Sequence, residues 1–356
     1  MELAITGLGL VLPCGDGIEA ARASLATGVP CFAELPEALG QGRGAACTSF
    51  NPGGIIPPMQ LRRLDRPSRF AWGAAHQAFR DARLDPALVG DRIAVAVGTM
   101  TGGSEASEAF MRPYLQRGPN GASPLLFPNS VANAASGHLA LAFGLKGPGV
   151  TFVDRENAAF TALDQAARWL RADLAEAALV IGVDGLFPLL LDICRGIGAL
   201  ARHGDPVAGS GRGFLPGEGA QAFLLEPLER ATARGLRPRA ILRSLASRST
   251  PTFGGDARAR ALDSAAALAL GGTVPARHIG GSNGLRRLDD LETRLASLHP
   301  DWPEPIQPKC LWGEFGGSGG QLLAAALLEP ADSVLITAPA SYGAQCAAHL
   351  EGVRAR

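Results

Sequence analysis

Short apolar runs rich in β-branched residues alternate with amphipathic, alanine-rich stretches along the chain. The short runs have the length and composition of buried strands, and the longer stretches have the apolar spacing of helices. This alternation predicts an α/β fold with buried sheets. The segments that carry the pattern are ELAITGLGLVL, RFAWGAAHQAFRDARL, RIAVAVGTM, VTFVD, NAAFTALDQAARWLRA, AALVIGVDG and GAQAFLLEPL.

The same pattern begins again after a break near residues 226 to 235. Its members are RAILRSLASRS, ARARALDSAAALAL, ARHIGGSNG, GGSGGQLLAAALLE and SVLITAPASYG. The repetition predicts two related halves in one compact body, residues 1–230 and a shortened second half, residues 231–356. The 46 glycines and 26 prolines fall between the periodic segments, as expected for tight connections.

The composition excludes several classes of protein. The 33 Lys and Arg residues balance the 33 Asp and Glu residues, so we expect neither a nucleic-acid nor a membrane-surface partner. No apolar run has the length of a membrane helix and no secretion signal is recognisable, which favours a soluble, cytoplasmic protein. The six cysteines form no C-x-x-C pair and lie at no zinc-site spacing from a histidine, so we expect reduced thiols and no metal.

The glycines of the opening segment TGLGLVLPCG are typical of part of a dinucleotide-binding motif. Gly7 and Gly9 follow a predicted strand, but the third glycine is missing and Pro13 stands where the helix of that motif would begin. We therefore expect no cofactor and interpret the two glycines as a turn that leaves the first strand.

Five longer segments carry a family resemblance: ITGLGLVLPCG, MQLRRLDRPSRFAWGAAHQAF, VAVGTMTGG, FPNSVANAASGHLALAFGLKGPGVT and GRGFLPGEGAQAFLLEPLERATARG. In order and spacing they resemble the β-ketoacyl synthase family of the thiolase superfamily. The resemblance is strong from Met1 to about Gly235 and thinner beyond. It implies a thiolase-like, five-layered αβαβα fold made of two related halves, normally paired as a dimer.

The resemblance also assigns the positions of the family's catalytic cysteine and two histidines. The family's nucleophilic cysteine ends a strand and opens a buried helix, and Glu156 occupies that position here. The first histidine position falls on Gly281 or Ser282 in GGSNGL. The second falls on Glu314 in KCLWGE, where the family's lysine is retained as Lys309.

These replacements remove the condensing chemistry that the resemblance would imply. Acyl transfer from a thioester to the carboxylate of Glu156 would form a mixed anhydride, which is uphill. Neither a glycine nor an ionised Glu314 can donate a hydrogen bond to a developing oxyanion. We expect Glu156 to cap the buried helix instead, because a helix N-terminus stabilises a negative charge.

The resemblance therefore implies a subunit similar to the chain-length factors of type II polyketide systems, which is not catalytic alone. Such a subunit pairs with an active β-ketoacyl-acyl-carrier-protein synthase and shapes the tunnel in which the chain grows. Within that group the chain is most similar to the ketosynthase-like subunits of bacterial aryl polyene pathways. The expected partners are a catalytic ketosynthase subunit, in a heterodimer, and an acyl carrier protein.

Two enzymatic alternatives remain open. One is a malonyl-carrier-protein decarboxylase, although relatives of that kind keep both histidines as oxyanion donors. The other is a variant condensing enzyme that uses Glu156 or another cysteine as its nucleophile. Cys310 and Cys346 are candidates by position, but neither sits at a predicted strand-to-helix corner.

Two aromatic residues have expected roles around the site. Tyr342 matches the family's gating phenylalanine, and we expect its ring to fill the space of an acyl chain and its hydroxyl to bond to Glu156. Phe160, on the first turns of the buried helix, either narrows the pocket or belongs to the core.

A cluster of arginines in LRRLDRPSR offers a candidate docking surface for an acidic carrier protein. The cluster consists of Arg62, Arg63, Arg66 and Arg69 around the start of a helix. The other interpretation is a solvated face with one structural arginine.

Overall fold

Strands and helices alternate along most of the chain in the computed structural model, which describes residues 1–251, 254–329 and 331–353. The strands are β1 Leu3–Leu12, β2 Gly15–Asp16, β3 Ala33–Glu34, β4 Arg43–Gly44, β5 Ile93–Thr99, β6 Gly149–Val153, β7 Ala177–Asp184, β8 Gly219–Pro227, β9 Ala240–Ser249, β10 Arg277–Ile279, β11 Val334–Ala338 and β12 Ala344–Gly352. The helices are α1 Ile18–Thr27, α2 Pro58–Leu61, α3 Arg66–Asp81, α4 Pro86–Val89, α5 Ser104–Arg117, α6 Ala134–Phe143, α7 Ala158–Arg171, α8 Pro188–Gly196, α9 Leu228–Ala233, α10 Gly255–Leu270, α11 Arg286–Leu298, α12 Lys309–Trp312 and α13 Gly319–Leu328.

The main sheet contains the same strand pattern twice. Its order is β10-β11-β12-β9-β1-β8-β7-β5-β6. In the first half β5 and β7 are parallel, while β7 with β8 and β8 with β1 are antiparallel. In the second half β10 and β11 are parallel, while β11 with β12 and β12 with β9 are antiparallel. The halves join where residues 3–5 of β1 pair with residues 240–242 of β9.

Helices cover both outer faces and fill the space between the halves. Helices α3 and α6 pack on the first half, and α10 and α11 pack on the second. Helices α7 and α13 lie in the central core, with apolar residues from strands of both halves around them. The predicted α/β fold is confirmed. A division of the chain at residue 230 stays a prediction.

The start of α7 is held tightly against β5. A Cβ atom at Gly98 of β5 would lie 2.3 Å from the backbone carbon of Ala158, the first residue of α7. Only glycine permits this approach, because no real Cβ comes so close to a backbone atom. The contact fixes the turn that precedes α7, residues 155 to 157, at the end of the sheet.

Gly7 and Gly9 lie within β1, so the prediction that they form a turn after the first strand is wrong. A Cβ atom would lie 2.2 Å from the Ala78 carbonyl oxygen at Gly7 and 1.9 Å from the Ala74 carbonyl oxygen at Gly9. The two glycines therefore let α3 pack directly on the backbone of β1. No helix in the described ranges is long and apolar enough to cross a membrane.

Adding one methyl group at Gly9 should destabilise the fold. We expect Gly9→Ala to lower the free energy of unfolding by about 3 kcal/mol, because α3 must move away from β1. Urea denaturation followed by circular dichroism measures the change. The matched control is Gly137→Ala on α6, where an added Cβ meets nothing within 4 Å. It should raise stability by about 0.5–1 kcal/mol, and equal effects at both sites would contradict the packing described.

Candidate functional site

A cavity of about 420 Å³ lies between the turn before α7 and loops of the second half. Glu156 and Glu314, two of the positions assigned from the sequence, both line it. Its wall also carries apolar side chains of α8 and of the loops that follow, among them Leu190, Ile193 and Phe214. The structure thus brings two carboxylates together beside an apolar wall.

Glu156 lies in a short 3-10 turn, Arg155–Asn157, between β6 and α7. Its Oε1 accepts a hydrogen bond of 2.6 Å from the Ser341 hydroxyl, while its Oε2 is buried with no partner among the described residues. Asn157 is the N-cap residue of α7, and no side chain caps the helix. The predicted capping role of Glu156 is therefore wrong, because its carboxylate turns towards Ser341.

The backbone of the same turn is strained. Arg155 has a φ of 46°, in the left-handed region that residues other than glycine rarely adopt. Such a conformation costs on the order of 1 kcal/mol and persists only where surrounding contacts enforce it. The turn therefore keeps a backbone geometry that costs stability, and its residues Arg155 and Glu156 line the cavity.

Tyr342 anchors the loop before β12 to this turn. Its hydroxyl donates to the Asp154 carbonyl oxygen at 2.8 Å and to the Asp154 carboxylate. Burial, and then the hydrogen bond to Asp154, raise the pKa of Tyr342 well above its ordinary value. The predicted bond to Glu156 is wrong, because the neighbouring Ser341 makes that contact. Among the described residues, Ser341 lines the cavity and Tyr342 does not.

Phe160 belongs to the core. Its side chain is fully buried in the cluster between the two halves, and it is not among the described residues that line the cavity. A Cβ atom at Gly319 would lie 3.0 Å from its ring, so the ring packs directly on the start of α13. Phe160 therefore does not narrow the pocket.

Glu314 is neutralised by a buried lysine. The Nζ of Lys309 lies 3.0 Å from Oε2 of Glu314, and their side chains are only 1% and 9% exposed. The Asn283 amide donates to the same oxygen at 2.7 Å. This ion pair gives the retained Lys309 a physical role, since an unpaired buried carboxylate would be costly.

Neither residue predicted for the first histidine position presents a side chain in the cavity. The Gly281 amide donates to Glu292 and the Ser282 amide donates to Gln307, at 3.1 and 2.8 Å. A Cβ at Gly281 would lie 2.6 Å from the ring of Pro339, so that position has no room for a side chain.

Asn283 is the polar residue of this loop that lines the cavity, beside Leu285, and sequence reasoning missed it. Asp289 accepts from the Asn283 and Gly284 amides at 3.1 and 3.2 Å, which fixes the loop. The sequence signal for Asn283 was a polar side chain directly after Gly281 and Ser282 in GGSNGL.

Asp184, at the end of β7, is a second site residue that sequence reasoning missed. It is 1% exposed and accepts hydrogen bonds from the Thr99 hydroxyl (2.6 Å), the Thr101 amide (2.8 Å) and the Gly317 amide (2.7 Å). Burial raises its pKa. These bonds tie the end of β5 to the glycine-rich segment before α13. The sequence signal for Asp184 was an acidic residue directly after the apolar run AALVIGV.

The cysteines offer no activated thiol at this cavity. Burial raises the pKa of Cys310 and of Cys346 to about 12, so both are thiols at neutral pH. Cys194 does line the cavity, but burial raises its pKa as well. These environments do not support a cysteine nucleophile at Cys310 or Cys346.

The candidate docking arginines separate into two kinds. Arg66 donates from Nε to Oε2 of Glu218 at 2.8 Å and from Nη2 to Oε1, and Glu218 is fully buried. Arg69 donates to the Leu64 carbonyl oxygen at 3.0 Å. Arg62 and Arg63 are exposed. Arg66 is thus a structural arginine, and carrier docking stays a prediction for the exposed pair.

Removing the buried lysine should destabilise the site strongly. We expect Lys309→Met to lower the free energy of unfolding by about 3–5 kcal/mol, because Glu314 would stay buried without its cation. Chemical denaturation measures the loss.

The matched control is Lys146→Met, which removes a lysine paired with Asp91 on the surface, where both side chains are more than two-thirds exposed. This variant should unfold like the parent protein. A loss below about 1 kcal/mol in Lys309→Met would contradict the role assigned to the pair.

Comparison with known proteins gives one family match and many structural neighbours. The model of the family described as "Beta-ketoacyl synthase, N-terminal domain" matches residues 1–231. The 3-oxoacyl-[acyl-carrier-protein] synthase 2 of Synechocystis sp. is 31% identical over 249 residues, which cover 66% of this chain and 60% of that protein. The enzyme of the same name from Staphylococcus aureus (strain MRSA252) is 27% identical, with the same coverage. The chain thus matches about 60% of the length of these relatives.

Two solved structures have the same fold over nearly the whole chain. The ishigamide ketosynthase/chain length factor superimposes with a TM-score of 0.87 and 22% identity, over 99% of both chains. A beta-ketoacyl synthase from Burkholderia phymatum superimposes with a TM-score of 0.87 and 19% identity, over 99% of this chain and 100% of that one. At these identities the likeness establishes the fold.

Proposed function

The chain belongs to the β-ketoacyl synthase family, and on that premise we propose that it serves fatty-acid-like or type II polyketide synthesis as a subunit that does not condense. Its role would be that of a chain-length factor, which pairs with a catalytic ketosynthase in the cytoplasm. The observation that carries this proposal is the polar lining of the cavity. Both carboxylates line the cavity, and Glu314 is neutralised by Lys309. The sequence resemblance assigns Glu156 to the position of the nucleophile and Glu314 to that of a catalytic histidine.

The chemistry of the cavity supports this assignment. A condensing site must receive an acyl group on a nucleophile and stabilise a developing oxyanion with hydrogen-bond donors. Here the nucleophile would be a carboxylate that already accepts a hydrogen bond from Ser341. The Asn283 amide, a donor on the opposite loop, is already bonded to Glu314. A carboxylate held in this way makes a poor acyl acceptor, and the carboxylate of Glu314, paired with Lys309, has no hydrogen to donate to an oxyanion.

An exposed strand and an apolar surface support pairing with another chain. Strand β6 lies at the edge of the main sheet, and its last residue, Val153, is 59% exposed. Helix α6 packs beside it, where the Thr151 hydroxyl donates to Ser136 at 3.1 Å. Leu125 and Leu141, which are 79% and 85% exposed, line an open groove of about 490 Å³ on that side. Edge strands and apolar patches of this kind are typical of protein interfaces.

The structural neighbours support the classes of partner proposed. One is described as a ketosynthase/chain length factor, and another as a type II polyketide synthase acyl-carrier protein in complex with its ketosynthase. For this chain we propose a catalytic ketosynthase as the dimer partner and an acyl carrier protein as the donor to the pair. The sequence resemblance favours an aryl polyene pigment as the class of product.

The two enzymatic alternatives have less support. Decarboxylation of a malonyl group needs oxyanion donors even without a thiol. Gly281 has no side chain, Glu314 is a paired carboxylate, and the Asn283 amide gives one of its two N–H groups to Glu314. A variant condensing mechanism would need an activated thiol, whereas burial raises the pKa of Cys194, Cys310 and Cys346.

Co-expression with a family member that keeps the cysteine and both histidines should give a stable heterodimer. Size-exclusion chromatography with light scattering after purification through a tag on this chain measures its composition. We expect Leu141→Asp to release the partner, since it places a charge on the apolar surface beside β6. Leu298→Asp, on an exposed residue of α11 in the second half, should not. The recovery of homodimers alone would exclude the proposed pairing.

The charge of Glu156 should matter little for a subunit that does not condense. We expect Glu156→Gln to leave the condensation rate of the pair within about fivefold of the parent, because an exchange near a helix terminus is worth on the order of 1 kcal/mol or less. Product formation from radiolabelled malonyl-carrier protein measures the rate. A loss of a hundredfold or more, with the heterodimer intact, would instead indicate that the carboxylate takes part in the chemistry.

A further inference from the structure

A hollow of about 510 Å³ lies between α11 and the segment that follows it, residues 299–307. Its floor consists of the buried residues His278, Ser282 and Glu292, and its rim consists of more exposed residues of α11 and of the segment 299–307. No described residue lines both this hollow and the cavity of the candidate site. It is thus a second concave site, here called the α11 hollow.

Glu292, in the floor of the hollow, is short of a hydrogen-bond donor. Its Oε1 accepts from the Thr337 hydroxyl at 2.7 Å and from the Gly281 amide at 3.1 Å. Its Oε2 is buried without a partner among the described residues, and the whole residue is only 4% exposed. Burial raises the pKa of Glu292 to about 7, although the two hydrogen bonds oppose this shift. A buried carboxylate oxygen without a donor is costly, so a ligand that donates to it would stabilise the floor.

Acidic groups outnumber cations around this floor. Glu304 also lines the hollow, is exposed and forms no ion pair with a described residue. Asp289, one turn before Glu292 on α11, adds a second buried carboxyl group. The charge of Lys309 does act on Glu292, but this lysine is already paired with Glu314 at 3.0 Å. None of the described residues that line the hollow is a lysine or an arginine, so the hollow favours a cation.

The rim of the hollow is largely apolar and is held in place by stacking. The ring of Trp302 lies parallel to that of His299 at 3.8 Å between centroids, and His299 is bonded to Asp263 at 2.7 Å. Trp302 also meets the ring of His278 edge-on. Burial lowers the pKa of His278 to about 4, so this histidine is neutral at pH 7 and does not repel a cation. Three prolines of the segment 299–307 complete the apolar rim.

We propose that the α11 hollow binds a primary alkylammonium ion, with its ammonium group at Glu292 and its alkyl chain against Trp302 and the prolines of the rim. An ammonium group brings three N–H donors and one positive charge, which match the unpartnered oxygen and the acidic floor. A short alkyl chain gains from burial against the apolar rim. The site goes beyond the proposed function and does not depend on it, because the hollow shares no described lining residue with the cavity.

Isothermal titration calorimetry on the purified full chain tests the proposal with butylammonium, butyltrimethylammonium, butyrate and 1-butanol as probes. Butylammonium should bind with a stoichiometry of one, at least about tenfold more tightly than each of the others, because it alone combines the chain, the charge and N–H donors. Equal binding of butyrate or 1-butanol, or no binding of butylammonium, would overturn the proposal. Equal binding of butyltrimethylammonium would overturn the hydrogen bond assigned to Glu292.

Variants locate the binding. Glu292→Gln should weaken butylammonium by about tenfold or more. Ala296→Phe, at an exposed position of α11 that lines the hollow, should do the same by filling it, and it leaves Glu292 intact if the first variant does not fold. Glu304→Gln should weaken binding by about threefold, whereas Asp301→Asn, an exposed carboxylate of the same segment that does not line the hollow, should not change it. Thermal unfolding verifies that each variant is folded. Unchanged binding in Ala296→Phe, or equal losses in Asp301→Asn and Glu304→Gln, would contradict the location.

Discussion

The buried ion pair between Lys309 and Glu314 is the interaction on which the site depends. It connects α12 to the loop that carries Asn283, because Glu314 accepts from both the lysine and the amide. The backbone amide of Glu314 also donates to the Leu215 carbonyl oxygen at 2.9 Å, which joins this segment to the loop before β8. Three separate parts of the chain thus meet at Glu314, whose carboxylate is neutralised, and residues from each of them line the cavity.

With that pair in place, the cavity combines an apolar wall with two carboxylates, Glu156 and Glu314. Glu156 lies in a strained turn, and its carboxylate accepts a hydrogen bond from Ser341. Asp184 holds the opposite wall through backbone amides and hydroxyls, and it is buried and hydrogen-bonded as structural carboxylates are. The hydrogen bonds of Glu156 and Asp184 therefore shape the cavity. They do not supply the nucleophile or the oxyanion donors that a condensation would need. Under the proposed function, a subunit that guides a chain made elsewhere would need only the cavity and not a catalytic group.

The sequence predicted the α/β fold, because apolar periodicity and long motifs are local signals. It did not predict contacts set by how loops approach one another. Gly9 was placed in a turn because its need for space comes from α3, far along the chain. Tyr342 was paired with Glu156, although Ser341, one residue away, makes that contact. Asn283 was missed for the same reason, since the direction of a side chain in a loop depends on tertiary packing.

The central claim is that this chain does not form carbon–carbon bonds by itself. The most direct test incubates the purified chain with acyl- and malonyl-loaded carrier protein, with and without a catalytic ketosynthase of the family, and follows β-ketoacyl products by mass spectrometry. The account predicts no β-ketoacyl product from this chain alone, and longer products from the pair than from the catalytic ketosynthase alone. Steady β-ketoacyl formation by this chain without a partner would contradict it.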